Sequence, residues 1–547
     1  MFYRDILKIL GLYLFGLSAV LLLPLTLAIY FEFFADPLTH PQPHSTYAFL
    51  ETLAICLGVA TLFYSVGKHT SGHLHRKEGL AAVVLVWLLT PAIGALPFYF
   101  SNTLQYIPSY FEAVSGLTTT GSTIMSAKKY NKEGEEIPVI QKFLGTQPKT
   151  YVYFGTITPV RDTQGRIILE GVEAVSLALL FWRSFMQWLG GLGVVVLFVA
   201  ILPLLGVGGK LLFQAEMPGP LKDSLTPRIK ETASLLWKIY LALTIFQITL
   251  LLITNEKMSF FEAVCMTFST VSTGGFSIKN ESLGGYHNLA TDWVTLTFML
   301  LGSINFSIYF YAIKKQLYRA YEPELFLYLA LITLSCWFAT YSLYGTEKQL
   351  LTETSPSGVF TFGESIRYGF FQMISAQTST GFATANYDIW PYPVQVLMII
   401  TMYIGGMAGS TAGGAKVIRT LLIFKIVQYR VESIFRRESV RILRIQGKEI
   451  DVNAAMMVLS FFVILVTASL LSMSAFIFNG IDPETSIGLT SSMINNCGLA
   501  FRAAGPMGSL GFLSNFDMIH GAFIMILGRL EFYAVLALLV PAFWKET

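Results

Sequence analysis

Thr118-Thr119-Thr120-Gly121 decides the fold, because this run of small residues does not stand alone. It follows the short apolar stretch 108–117 and precedes a long one. Three echoes occur further along the chain: Val271-Ser272-Thr273-Gly274, Thr378-Ser379-Thr380-Gly381 and Asn495-Asn496-Cys497-Gly498. Each echo has its own short apolar stretch in front of it, at 259–270, 365–377 and 484–494, and a long apolar stretch behind. The period is nearly constant once residues 126–168 are set aside. A repeat of this kind outranks any single motif. Each copy reads as helix, half-helix, small tetrapeptide, helix.

Composition says what surrounds these copies. The 547 residues are 54% hydrophobic and 13% charged, with mean hydropathy +0.58. A soluble domain carries about a quarter charged residues, and a disordered chain has few aromatics. Forty-three Phe, 26 Tyr and 8 Trp exclude the second class, and the low charge excludes a cytosolic enzyme. A multi-pass membrane protein remains. A helix needs about 20 apolar residues to cross the hydrocarbon. Ten stretches qualify, near 6–34, 46–66, 79–100, 172–208, 233–254, 293–313, 324–345, 391–428, 453–479 and 517–544. The four short stretches suit re-entrant segments wrapped by other helices. The first stretch runs on without a small-residue cleavage site, so it reads as a retained helix rather than a removed signal.

The expected fold is therefore an all-α polytopic membrane protein. Residues 1–77 supply two extra N-terminal helices. Four pore repeats follow at 78–228, 229–320, 321–450 and 451–547, the first with an extracellular insertion at about 126–168. Lys and Arg gather in alternate loops (Arg4 and Lys8; Lys68, Arg76 and Lys77; Lys210 to Lys230; Lys314, Lys315 and Arg319; Arg430 to Lys448; Lys545). The positive-inside rule then puts both termini in the cytoplasm of a cell inner membrane protein. Within the insertion, Asp162-Thr163-Gln164-Gly165 predicts a small hairpin between Tyr151 and Leu169. The insertion either caps an outer vestibule, meets a partner, or is a tolerated surface loop.

Four such copies around one axis make a pore. A dehydrated cation needs oxygen ligands, and converging backbone carbonyls supply them. Glycine permits the positive φ that turns successive carbonyls the same way. A half-helix entering from outside points its negative end at the membrane interior, which favours a cation. Nothing in the four tetrapeptides carries a full charge, so selection falls to carbonyls.

At this point the chain resembles a known family: the TrkH-like membrane subunits of Trk-type potassium uptake systems, with their Ktr and HKT relatives. The residues that carry the likeness are Phe111-Glu112-Ala113-Val114-Ser115-Gly116, Gln187-Trp188-Leu189-Gly190-Gly191-Leu192-Gly193, Leu225-Thr226-Pro227-Arg228, and Ser272-Thr273-Gly274-Gly275-Phe276. To these add Gly405-Gly406-Met407-Ala408-Gly409-Ser410-Thr411-Ala412-Gly413-Gly414, Gly528-Arg529-Leu530-Glu531 and Pro541-Ala542-Phe543-Trp544. The resemblance implies filter glycines at Gly121, Gly274, Gly381 and Gly498, with K⁺ held at Thr119, Thr120, Ser272, Thr273, Ser379, Thr380, Asn496 and Cys497. It implies potassium uptake rather than sodium uptake, as a channel or as a K⁺/H⁺ or K⁺/Na⁺ symporter. It also implies a homodimer with one pore per subunit and a cytosolic TrkA-like nucleotide-binding ring below. Leu499 departs from the family, which usually has Pro after the fourth glycine.

The run Gly405 to Gly414 predicts an unwound loop inside the 391–428 stretch. Each glycine there costs a helix roughly 1 kcal/mol, and broken backbone at that depth must border protein or water. The loop is a candidate gate beneath the filter, through Gly405, Gly406, Gly409, Ser410, Thr411, Gly413 and Gly414. Arg529 is an intramembrane charge and so a functional candidate. It either holds the loop and repels cations, or pairs with Glu531 or another carboxylate. Lys416 either anchors the loop or snorkels to the interface. Arg183 reads as structural, paired near the outer face. His69, His73 and His75 read as a solvated loop rather than a metal site. The basic stretch Arg430 to Lys448 suits anionic lipid, the regulatory subunit, or topology alone. Net charge +3 singles out no nucleic acid partner. No catalytic triad, nucleotide loop or carboxylate pair stands out, and no organic cofactor is expected, so the chain does not read as an enzyme.

Overall fold

The computed structural model describes residues 3–35, 45–68, 76–143, 148–162, 164–193, 229–316, 318, 321–353, 355, 357–435, 444–445, 448–449 and 452–544. Several readings lie outside the described residues: the histidine cluster at His69, His73 and His75, the motif Leu225 to Arg228, most of the basic stretch after Arg430, and the 172–208 stretch beyond Gly193.

Among the described residues, six helices are long and apolar enough to cross a membrane. They are Tyr3–Phe33, Thr46–Gly67, Lys77–Phe100, Ala233–Thr254, Pro323–Leu343 and Asn453–Phe478. The first helix is no appendage. Its buried face, from Ile6 to Ala28, joins the main apolar core. Tyr13 also shares a hydrogen bond with Thr90 on the third helix.

The four short stretches fold as helices that stop abruptly: Tyr106–Leu117, Phe260–Val271, Phe362–Gln377 and Pro483–Ile494. Three have twelve residues and rise about 18 Å, and the one in the third repeat has sixteen and rises about 24 Å, all short of a crossing. Their starts are written in the sequence. Ser259 with Glu262, and Thr361 with Glu364, form reciprocal capping boxes. Asp482 caps Thr485 N, with Pro483 in the first turn.

The fold is helical, as expected, with small sheets added: among the described residues five two-stranded antiparallel sheets occur, three of them in the insertion, Lys129–Tyr130 with Glu136–Ile137, Val139–Phe143 with Lys149–Tyr153, and Val160–Arg161 with Ile167–Leu169. The last is the hairpin expected around Asp162, whose carboxylate accepts from Gln164 N and Arg166 N. One correction concerns the helix after each short one. A break was expected in the third repeat alone. The helices at 289–313 and 515–539 are bent too, by 92° and 115°. In the second repeat Asn305 caps a new helix at Ser307 N, while Phe306 N donates to Gly409 O. In the fourth, Glu531 and Phe532 both take positive φ, 56° and 64°. In the third, Tyr392–Ile404 ends at Gly405, and the next helix, Val417–Phe435, starts twelve residues later.

Candidate functional site

Each short helix ends in the same way, and that ending builds the site. The residue just past the last helical turn bonds back to the carbonyl four residues earlier. Thr118 Oγ1 donates to Val114 O (2.8 Å), Ser272 Oγ to Phe268 O (2.6 Å), Thr378 Oγ1 to Ile374 O (2.7 Å) and Asn495 Nδ2 to Ser491 O (2.8 Å). Two residues further on, the backbone N–H reaches a serine carbonyl five residues back. The pairs are Thr120 N to Ser115 O, Gly274 N to Ser269 O, Thr380 N to Ser375 O and Cys497 N to Ser492 O. These bonds satisfy carbonyls that a helix end would otherwise leave bare.

The backbone beyond the helix end also repeats. Thr119, Thr273, Ser379 and Asn496 take φ between 51° and 56°. Two residues on, Gly121, Gly275, Gly381 and Gly498 take φ between 78° and 89°. The second repeat therefore has a different frame from the expected one. Its tetrapeptide is Ser272-Thr273-Gly274-Gly275. Val271 is the last residue of its helix, and Gly275, not Gly274, matches the other three glycines. Of the two adjacent glycines, Gly275 alone takes a positive φ.

The four strands meet in a closed ring. A Cβ added to Gly121 would overlap Gly274 O; one on Gly275, Thr380 O; one on Gly381, Cys497 O; and one on Gly498, Thr120 O. Each glycine thus lies against the carbonyl of the next repeat, and the fourth closes on the first. Above the ring lies a cavity of about 410 Å³ lined by these four glycines and by Lys129, Val139 and Tyr153 of the insertion. The insertion is fixed to the fourth repeat: Tyr151 OH bonds Asp482, Gln141 bonds Ala503 O, and the Tyr151 and Phe512 rings lie 4.4 Å apart. Burial pushes the Tyr151 phenol well above its usual range.

Below the ring is a second cavity, about 100 Å³, lined in part by Gly191, Gly193, Gly409, Gly413, Asn496 and Arg529. The 405–416 loop forms one wall. Gly405, Gly409 and Gly414 hold φ of 73° to 79°. Gly406 O accepts from Val417 N (3.0 Å), and Ser410 Oγ donates to Met407 O (2.6 Å). Thr411 is central. Its hydroxyl donates to Gly302 O (2.9 Å) and Val271 O (3.1 Å), and its N–H also reaches Gly302 O (3.2 Å). Gly413 N donates to Ser379 Oγ (2.5 Å), which ties the loop to the third ring strand. Glu324 Oε1 accepts from Ala408 N (2.8 Å).

Arg529 donates to Thr411 O (3.1 Å), Gly190 O (2.6 Å) and Gly191 O (3.1 Å). Its neighbour Glu531 pairs with Arg419. Lys416 is buried, with its ammonium on Ala412 O, so it does not snorkel. Arg183 pairs with the buried Glu112 at 2.8 Å. Sequence reasoning missed the four serines at 115, 269, 375 and 492. Each stands six residues before its positive-φ glycine, and that spacing alone would have set the frame of the second repeat.

Comparison with known proteins places the whole chain. A family model described as cation transport protein, TrkH, matches residues 160–545. The chain is 32% identical to the Trk system potassium uptake protein TrkH of Halomonas elongata over 99% of both chains. It is 30% identical to the protein of the same description from Salmonella typhimurium over 100% of both. It resembles the crystal structure of the potassium transporter TrkH from Vibrio parahaemolyticus with a TM-score of 0.77, at 27% identity and full coverage of both chains.

Proposed function

The chain belongs to the TrkH family of cation transport proteins, and from that premise we propose that it takes up potassium across the cytoplasmic membrane. One observation carries the reading: the closed ring in which Gly121, Gly275, Gly381 and Gly498 each abut the carbonyl of the next repeat. Four backbone strands held at that spacing replace the hydration shell of a bare cation. The ion enters from the insertion-lined cavity and leaves into the lower one. Membrane potential drives it, at about 2.3 kcal/mol per charge for each 100 mV.

Residues 405–416 act as the gate. Thr411 lies between Val271 O and Gly302 O on one side and Arg529 on the other. A fixed guanidinium beside the ion path repels cations, and the same group holds the loop by its carbonyl. Opening requires the Arg529 to Thr411 contact to break. Both termini lie in the cytoplasm. The protein works as a pair of identical subunits over a cytosolic nucleotide-binding ring that biases the loop.

The test is ion replacement in liposomes holding the purified protein. Reversal potentials that follow the K⁺ gradient and ignore Na⁺ are expected. Equal permeability to both ions overturns the reading. A reversal potential that shifts with pH or Na⁺ replaces passive conduction with symport.

A further inference from the structure

The second filter strand is set apart by a residue without a side chain at its third position. At the position whose carbonyl meets the next glycine, the chain has Thr120, Gly274, Thr380 and Cys497. Gly274 is not there for its backbone, since its φ is not positive. The space a side chain would fill is already taken. A Cβ on Gly274 would lie 2.5 Å from Gln187 Cδ and within 3.0 Å of both amide atoms.

Gln187 is fully buried on the helix Leu177–Gly191 of the first repeat. Its amide nitrogen donates to Gly274 O (2.7 Å), and its amide oxygen accepts from Phe276 N (3.1 Å). The two partners fix which way the amide points. One turn earlier on the same face, Arg183 donates to Ser277 O (3.1 Å) and lies 4.1 Å over the Phe276 ring. Arg183 is held by Glu112, which also accepts from Thr123 and Ile124 just past the first filter. Residues 274–277 are thus held by a buried polar chain from the first repeat. Of the four ring carbonyls, Gly274 O has a side-chain donor among the described residues.

We infer that Gln187 is a positioning residue for ion selectivity, acting as the missing side chain of Gly274 and fixing the carbonyl that Gly274 contributes to the ring. The inference rests on the transport reading above and names a determinant within it. In the first and third strands the threonine at this position bonds a hydroxyl two residues back: Thr120 to Thr118 and Thr380 to Thr378, both at 2.7 Å. The second strand keeps that partner, Ser272, and lacks only the threonine. Gln187 supplies the fixation from outside.

The test is the K⁺ over Na⁺ permeability ratio of the full-length protein in liposomes. Gln187→Met keeps the bulk and removes both bonds. It should lower the ratio about threefold to tenfold, the effect of roughly one hydrogen bond. Gly274→Thr alone collides with Gln187 and should lower the ratio too. Gln187→Ala combined with Gly274→Thr should restore it, because the introduced hydroxyl finds space and faces Ser272. If Gln187→Met does not reach the membrane, Gln187→Leu carries the test: it keeps most of the bulk, carries no charge and removes the donor to Gly274 O. A purely structural role lowers both ion fluxes together and leaves the ratio unchanged. An unchanged ratio in Gln187→Met, or a double variant no better than Gly274→Thr, overturns the inference. A wild-type protein without K⁺ preference overturns the transport reading instead, so the two failures are distinct.

Discussion

Replacing Gly275 by alanine tests the filter frame directly, because the neighbouring Gly274 is the internal control. Gly275 has φ +78°, and its added Cβ would fall far closer than 3.0 Å to Thr380 O, a backbone atom of the next strand. Two penalties add. The left-handed conformation costs an L-residue about 1–2 kcal/mol, a factor of roughly 5 to 30 in the population of the intact strand. The overlap is worse, since a backbone carbonyl cannot rotate aside as a side-chain tip can. Gly274→Ala meets the Gln187 side chain at 2.5 Å rather than backbone, and has no φ penalty. The expected result is a K⁺ over Na⁺ ratio reduced at least about tenfold in Gly275→Ala, and reduced less in Gly274→Ala. The assay is the bi-ionic reversal potential in proteoliposomes. Equal effects, or a greater loss at Gly274, would refute the ring geometry.

Arg529→Gln should raise basal K⁺ flux, because the charge on Thr411 O, Gly190 O and Gly191 O is lost; rubidium uptake into proteoliposomes measures it, and wild-type flux would return Arg529 to a structural role. Thr411→Val removes the one hydroxyl proton shared between Gly302 O and Val271 O; at about 1 kcal/mol, open probability in single-channel records should rise severalfold. Asp388 lies in the outer loop, where burial pushes its carboxyl up to about 6 against the opposing Arg502 N–H and guanidinium. A raised carboxylate adds stability that is complete below its unfolded value and lost as pH rises through about 6. Thermal unfolding in detergent should therefore show a pH 5 over pH 7.5 advantage that Asp388→Asn abolishes; a persisting advantage would assign it to another group.

The repeat was legible because the tetrapeptides are polar islands in apolar sequence, and the short helices carry their caps openly at Ser259, Thr361 and Asp482. The frame of the second copy was not legible from glycine alone, since Gly274 and Gly275 are adjacent and only tertiary contact separates their roles. The breaks in the second and fourth repeats carry a single glycine each, Gly302 and Gly528, one residue before the helix end, too weak a signal to mark a bend against the ten glycine-rich residues of the third. Glu531 and Phe532 occupy positive φ that few residues of their size adopt, which surrounding structure must impose. Arg529 had two readings because Glu531 is close in sequence. Residues two apart on a helix do not share a face, and the structure turns Glu531 to Arg419 instead.

On the proposed gating role, the repeated breaks bear on what a regulator would have to do. The second helices end at Gly191, Ser303, Ile404 and Arg529, and the third repeat places twelve residues before its next helix. Broken backbone at this depth persists only against protein or water; Gly191 and Arg529 line the lower cavity together with Gly409, Gly413 and Gly414 of the loop, which on the proposed gating role supplies the bulk to block it. Met407 N on Ser303 O, Ala408 N on Glu324, Thr411 on Gly302 and Val271, and Gly413 N on Ser379 hold the loop along its length. At about 1 kcal/mol each, releasing all of them would need more than the 1–3 kcal/mol that coupling between sites typically delivers. The affordable motion is smaller: Thr411 leaves Arg529 while Met407 and Ala408 stay bound. A disulfide-free crosslink between the segments at 407–408 and 303–324 should then leave gating intact, whereas a crosslink from residue 411 to residue 529 should lock the pore shut. Gating lost in the first case would mean that the whole loop swings out, and that the regulator delivers several times the usual coupling energy.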